Sequence, residues 1–144
     1  MQFYNNLMNR IITYLSFNGN CREAMLFYKE TLGGELVFQT LADTPMAGNL
    51  PALIKKHILQ ATLTNGQLII MGSDLVDEKG LQKGNTVSLM ITCDSEYQAM
   101  QLFEKLSSGG EANNPPMMND WGTLLGNLTD KYGNNWLLHF QQPA

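Results

Sequence analysis

Leu26-Phe27-Tyr28-Lys29-Glu30-Thr31-Leu32-Gly33-Gly34-Glu35 decides the fold, because Leu102-Phe103-Glu104-Lys105-Leu106-Ser107-Ser108-Gly109-Gly110-Glu111 repeats it. A shift of 76 residues lays Leu-Phe, the lysine and Gly-Gly-Glu of one stretch on the other, and puts Asn18 on Asp94. Several coincidences in one register mark an internal repeat, and a repeat sets the architecture. Further along the shift falls to 67, where Asn65-Gly66 meets Tyr132-Gly133 and residues 68–71 meet 135–138. The first copy therefore carries nine extra residues between Leu36 and His57, a region whose Asp43-Thr44-Pro45 and residues 48–51 have turn composition.

Each copy reads the same way locally. Residues 11–17 are apolar and β-prone, a strand. Asn20 offers an N-cap and Glu23 stands at the capping-box position. Ala24, Phe27, Tyr28 and Leu32 form one helical face, which Gly33-Gly34 ends. Residues 35–41 resume extended structure, and 57–64 with 67–73 flank a two-residue Asn65-Gly66 hairpin. The second copy predicts a strand over 87–92, then a helix from Ser95, with Gln98 at the box position, to Leu106. Strands near Glu111, over 123–129 and over 135–140 complete it, so the order βαβββ is duplicated. One helix cannot cover both faces of its sheet. The two modules, about 11–74 and 86–141, are therefore expected to form an α+β single domain over residues 1–144, behind an extension of residues 1–10. The expected form is an open, incompletely closed barrel-like sheet with its helices outside. The inside of that cup is concave and partly apolar, the natural ligand site.

Composition narrows the partners. The chain has 144 residues, 44% hydrophobic and 15% charged, as a globular protein does. A net charge of −4, with no basic cluster larger than Lys55-Lys56-His57, argues against nucleic acid. No apolar run reaches the ~18 residues of a membrane span, and residues 1–9 are too polar for a signal core, so a cytoplasmic location is expected. Cys21 and Cys93 supply neither a disulfide framework nor a CxxC motif.

Several segments resemble one family. They are residues 14–20 (Tyr-Leu-Ser-Phe-Asn-Gly-Asn) leading into Glu23-Ala24 and Phe27-Tyr28; Gly72-Ser73-Asp74; Leu106-Ser107-Ser108-Gly109-Gly110; Trp121-Gly122; and residues 128–133 (Leu-Thr-Asp-Lys-Tyr-Gly) followed by Trp136. Together they resemble the PhnB-like, demethylubiquinone-methyltransferase-like branch of the vicinal oxygen chelate superfamily, which includes glyoxalase I, extradiol dioxygenases (the dihydroxybiphenyl dioxygenase fold) and bleomycin-resistance proteins. The resemblance implies paired βαβββ modules and a homodimer. Metal-dependent members hold an ion with side chains from the first and fourth strands of each module. Carried over, those positions fall at Thr13 (or Ile12), Ile70, Ser88 and Leu137. Two aliphatics and two hydroxyls do not replace imidazole and carboxylate, so no metal is expected there. No cofactor is expected either. A methyltransferase of the common α/β kind needs a glycine-rich turn after its first parallel strand, whereas Gly33-Gly34 and Gly109-Gly110 both follow helices.

The remaining candidates carry two readings each. Strand alternation puts His139 on the cup side with Leu137, as a general base or a polar anchor; the alternative is a strand-end histidine meeting solvent or backbone. Gln60 stands where this branch often has a histidine, and could bond a ligand carbonyl. Trp121, expected in a loop over 115–122, is a lid candidate, while Trp136 alternates towards the core. Phe38, Met46, Met117 and Met118 are either an adaptable apolar wall or ordinary packing, and the last two are equally a dimer contact. Asp74 is a ligand-orienting residue or a turn and capping residue, and Asp130 a ligand-orienting or turn residue. His57 belongs at the surface, and Cys21 is read as a small buried residue. Two functions compete. One is metal-independent sequestration of a largely apolar small molecule; the other is an isomerase or lyase using His139 with Asp74 or Gln60, or a metal held elsewhere.

Overall fold

The computed structural model describes residues 9–45, 47–76 and 79–143. Met46 and most of the 1–10 extension therefore lie outside the described residues. The chain divides into two compact units, Met1–Leu81 and Gln82–Ala144, with one expected module in each. The first unit runs β1 (Thr13–Ser16), α1 (Cys21–Leu32), β2 (Glu35–Thr40), α2 (Ala52–Lys55), β3 (Ile58–Asn65) and β4 (Leu68–Ser73). The second runs β5 (Leu89–Thr92), α3 (Glu96–Ser107), β6 (Glu111–Met118), β7 (Thr123–Thr129) and β8 (Asn135–Gln141). Each unit has an open four-stranded mixed sheet, ordered β1-β4-β3-β2 and β5-β8-β7-β6. The first strand pairs parallel with the fourth in both, and the other pairs are antiparallel. The duplicated βαβββ order is thus the observed architecture. The expected insertion is the segment with two 3-10 turns, Leu41–Asp43 and Ala47–Asn49, and α2.

One face of each sheet is packed by its unit's long helix. Cys21, Ala24, Met25 and Tyr28 of α1 are buried, as are Ile58, Ala61, Leu63 and Ile70 of β3 and β4. In the second unit Ala99, Phe103 and Leu106 of α3 are buried, with Leu124, Leu128, Trp136 and Leu138 in the sheet. Each of these larger side chains contributes about 1.5–3 kcal/mol by leaving water.

The two helices begin differently. Ser95 caps α3 locally, its hydroxyl accepting from Gln98 N–H at 3.0 Å, while Gln98 Oε1 accepts from Asp94 N–H at 2.7 Å. Asn20 makes no side-chain cap bond. Its place is taken by Asp74, from just beyond β4. After both helices the chain turns at the same device. A Cβ on Gly34 would overlap the Thr64 carbonyl, and one on Gly110 the Thr129 carbonyl. These threonines stand opposite Glu35 and Glu111, so glycine lets the incoming strand reach its partner in both units.

Two boundaries differ from expectation, and both have physical causes. The first hairpin turns at Gly66-Gln67, not Asn65-Gly66: Asn65 pairs with Leu68 inside the ladder, and its side-chain amide donates to the Leu32 carbonyl at 2.8 Å. The expected loop over 115–122 is shorter, because residues 115–118 belong to β6. β6 is an edge strand, where proline's missing N–H is tolerated, and register shifts flank Asn114.

Candidate functional site

Side chains directly opposite across a ladder share a face, so the registers assign each strand residue to the helix side or the open side. Gly72 marks the helix side of the first sheet, since a Cβ there would meet Phe17, Cys21 and Met25. Leu15 and Ala61 stand opposite Gly72, while Thr13 and Leu63 stand opposite Ile70, so all share the helix side. Phe38, opposite Ala61, lies there too, and the Arg22 guanidinium sits 4.7 Å from its ring centre. The structure therefore corrects the cup-facing expectation for Thr13, Ile70 and Phe38. The open side carries Tyr14, Ser16, Val37, Gln60, Thr62 and Met71 instead.

The cause is a one-residue slip, which inverts every side chain of a strand. The parallel registers, Thr13 opposite Ile70 and Leu89 opposite Trp136, equate Ile70 with Trp136 rather than Leu137. The second hairpin is longer, spanning residues 130–134 between β7 and β8, so counting from the turn glycine misaligns the copies. Trp136 is buried as expected, and its Nε1–H donates to Asp130 Oδ2 at 2.8 Å. Asp130 Oδ1 accepts from the Tyr132 and Asn134 amides at 2.9 and 3.0 Å, a turn-holding role.

Asp74 is also placed away from the open face. It is 6% exposed, and its Oδ1 accepts from the Gly19 and Cys21 amides at 2.9 Å each. Its Oδ2 accepts from the Ile58 amide at 2.8 Å. This carboxylate caps α1 and ties the β3 start to it, which corrects the ligand-orienting expectation. Cys21 lies beneath it. Burial first, then the Asp74 charge, push its thiol up to about 12, with Arg22 opposing. Burial likewise raises Cys93, against a hydrogen bond from the His139 backbone. Neither thiol is an activated nucleophile.

The second sheet brings the other candidates together. Leu137 and His139 lie on its open side, beside Met90 and Thr92 of β5 and Asn127 and Leu125 of β7. Met117 stands opposite Leu125. One row thus reads Thr92, His139, Leu125, Met117 across the four strands. Met90, Leu125 and Met117 are 56%, 46% and 76% exposed, an unusual display of large apolar side chains on one face. His139 Nδ1 is buried with no hydrogen-bond partner. Trp121 lies in the turn joining β6 to β7 and is 82% exposed. Ser88 is exposed, just before β5. Gln60 is exposed on the open side of the first sheet. Met90, Leu125 and Thr92 were missed from sequence. Their signal, alternation on strands flanking Leu137, is visible only once the registers are known.

Residues suited to a divalent metal do not converge here. The open side of the second sheet offers one imidazole among aliphatic, thioether, amide and hydroxyl groups, with a single carboxylate, Glu111, at its far end, and Thr13 and Ile70 face the helix. Among the described residues no three His, Cys, Asp or Glu side chains cluster. A methyl-donor cofactor of the common α/β type is not matched either. The turn between β1 and α1 contains Gly19, but its amide is held by the chain's own Asp74.

Residues 9–139 match the model of the family described as 3-demethylubiquinone-9 3-methyltransferase. The chain is 26% identical over 143 residues to Protein YjdN of Escherichia coli, covering 91% of this chain and 96% of that one. Protein PA1353 from Pseudomonas aeruginosa has a similar structure, with a TM-score of 0.80 and 33% identity over 93% of this chain and 98% of that one. The PhnB protein from Bacillus cereus follows at 0.72 and 27%, covering 92% and 99%. A glyoxalase-related enzyme from Fulvimarina pelagi, at 0.62 and 18% over 93% and 88%, shares the fold.

Proposed function

The chain belongs to the 3-demethylubiquinone-9 3-methyltransferase family, the PhnB-like branch with a glyoxalase/bleomycin-resistance fold, and from that premise we propose that it binds a small molecule without a metal. The observation that carries this is the open face of the second sheet, where Met90, Leu125 and Met117 stand exposed around His139. Thioether and aliphatic side chains suit an apolar body of varied shape. In this reading Leu137 and Met117 form the floor, His139 anchors a polar group, and Trp121 at the hairpin tip folds over the ligand. Ser88 supplies a further polar contact, while Gln60 offers one on the separate open face of the first sheet. Metal independence is supported by the donor set, which offers one imidazole and no carboxylate near it. The cytoplasm is the proposed location and a homodimer the proposed form, which light scattering on the eluting protein tests directly.

Elemental analysis of protein purified without chelator, followed by calorimetric titration with divalent ions, tests the metal claim. No stoichiometric metal and no binding heat are expected. One tightly bound ion per chain would overturn it and favour an enzyme of the same fold. A thermal-shift screen of aromatic compounds tests binding, and Trp121→Ala is expected to weaken any hit at least fivefold.

A further inference from the structure

We infer that the open face of the second sheet selects an uncharged ligand presenting a hydrogen-bond-accepting oxygen to His139, and rejects carboxylates of the same shape. The inference rests on the reading that this face binds a small molecule.

Charge carries the first half. From Thr92 and His139 through Leu125 to Met117, the described side chains on this side bear no carboxylate, ammonium or guanidinium. The exception is Glu111, opposite Thr129 at the far end of the sheet, and its sign opposes an anion. A carboxylate or phosphate seated here loses its hydration and meets no cation in exchange, whereas a neutral ligand meets no such cost. The amides do not fill that role: Asn114 Nδ2 donates one bond to Asn127 Oδ1 at 3.1 Å, and a neutral amide supplies no counter-charge.

His139 carries the second half. Its Nδ1 is buried and unpartnered. A neutral imidazole bears its proton on one nitrogen only. Buried N–H groups without an acceptor are rarer than buried acceptors without a donor, so the proton belongs on Nε2. His139 is therefore a donor at the nitrogen left for a ligand, matched by a carbonyl or ether oxygen. This distinguishes it from a general base, which would need a free lone pair at that atom.

Three probes of one shape separate the possibilities: 2-acetylnaphthalene, the anion 2-naphthoate, and 2-isopropenylnaphthalene, which lacks the oxygen. Calorimetry on the full chain is expected to show the ketone at least tenfold tighter than both others. In His139→Phe the ketone should bind no more tightly than the hydrocarbon measured on the same variant. In the unaltered protein, long-range proton–nitrogen spectra should place the His139 proton on Nε2. Naphthoate binding as tightly as the ketone, a ketone preference that survives His139→Phe, or a proton on Nδ1 would each overturn the inference. If none of the three probes binds, the small-molecule reading itself fails and takes this one with it.

Discussion

Asp74 shows how far one side chain can act from its place in sequence. Its carboxylate accepts three backbone amides from two separate segments, and hydrogen bonds to a charged acceptor contribute about 1.5–3 kcal/mol each. Because such contributions overlap, Asp74→Ala is expected to lower stability by roughly 3–5 kcal/mol in urea unfolding. A loss below about 1 kcal/mol would mean that water replaces the carboxylate easily. Sequence alone read Asp74 as a capping or ligand residue. The capping is real, but its target lies 53 residues away, where no local motif points. Cys21 gives a prediction with a definite sign. An ordinary thiol titrates near 9.0, while this one is pushed up to about 12 in the folded protein. Between those values the unfolded chain releases a proton that the folded chain keeps, so stability falls as pH rises. The slope approaches about 1.4 kcal/mol per pH unit and vanishes below the lower value. Cys21→Ser should remove that slope whatever it does to stability at neutral pH, as denaturant midpoints across the range would show.

At the scale of elements, the repeat was legible because its marks are local: a Gly-Gly after each helix and apolar strands at matching spacing. The Gly34 and Gly110 contacts explain why glycine recurs. Gly34→Ala and Gly110→Ala are each expected to cost roughly 2 kcal/mol or more, since the new methyl meets a backbone carbonyl that cannot swing away. Gly48→Ala is the control, with nothing within 4 Å of its Cβ and no positive φ, and should leave the melting temperature unchanged or raise it. Strand faces were much less legible. Asn65 looks like a turn residue, yet its bond to the Leu32 carbonyl holds it in the ladder. That shift, with the longer second hairpin, moved Ile70 from the expected ligand side to the helix side. A site read from a fourth strand depends on the hairpin before it, and hairpin length is the quantity the two copies do not share.

Across the whole molecule, the duplicated order, the insertion in the first copy and the family are legible in the sequence. The proposed ligand face is not, because it is assembled from residues on four strands whose pairing no single segment encodes. The two units also differ in how their helices are secured, and this bears on the order of events as the chain folds. α3 carries its own cap in Ser95 and Gln98, so it can begin as soon as its residues are free to turn. α1 borrows its cap from Asp74, and that contact closes a long loop before it returns anything. The second unit should therefore nucleate early and the first consolidate late. In stopped-flow experiments Ser95→Ala should slow refolding, while Asp74→Ala should mainly hasten unfolding. The two halves of a duplicated chain would then keep the same shape and reach it on different clocks.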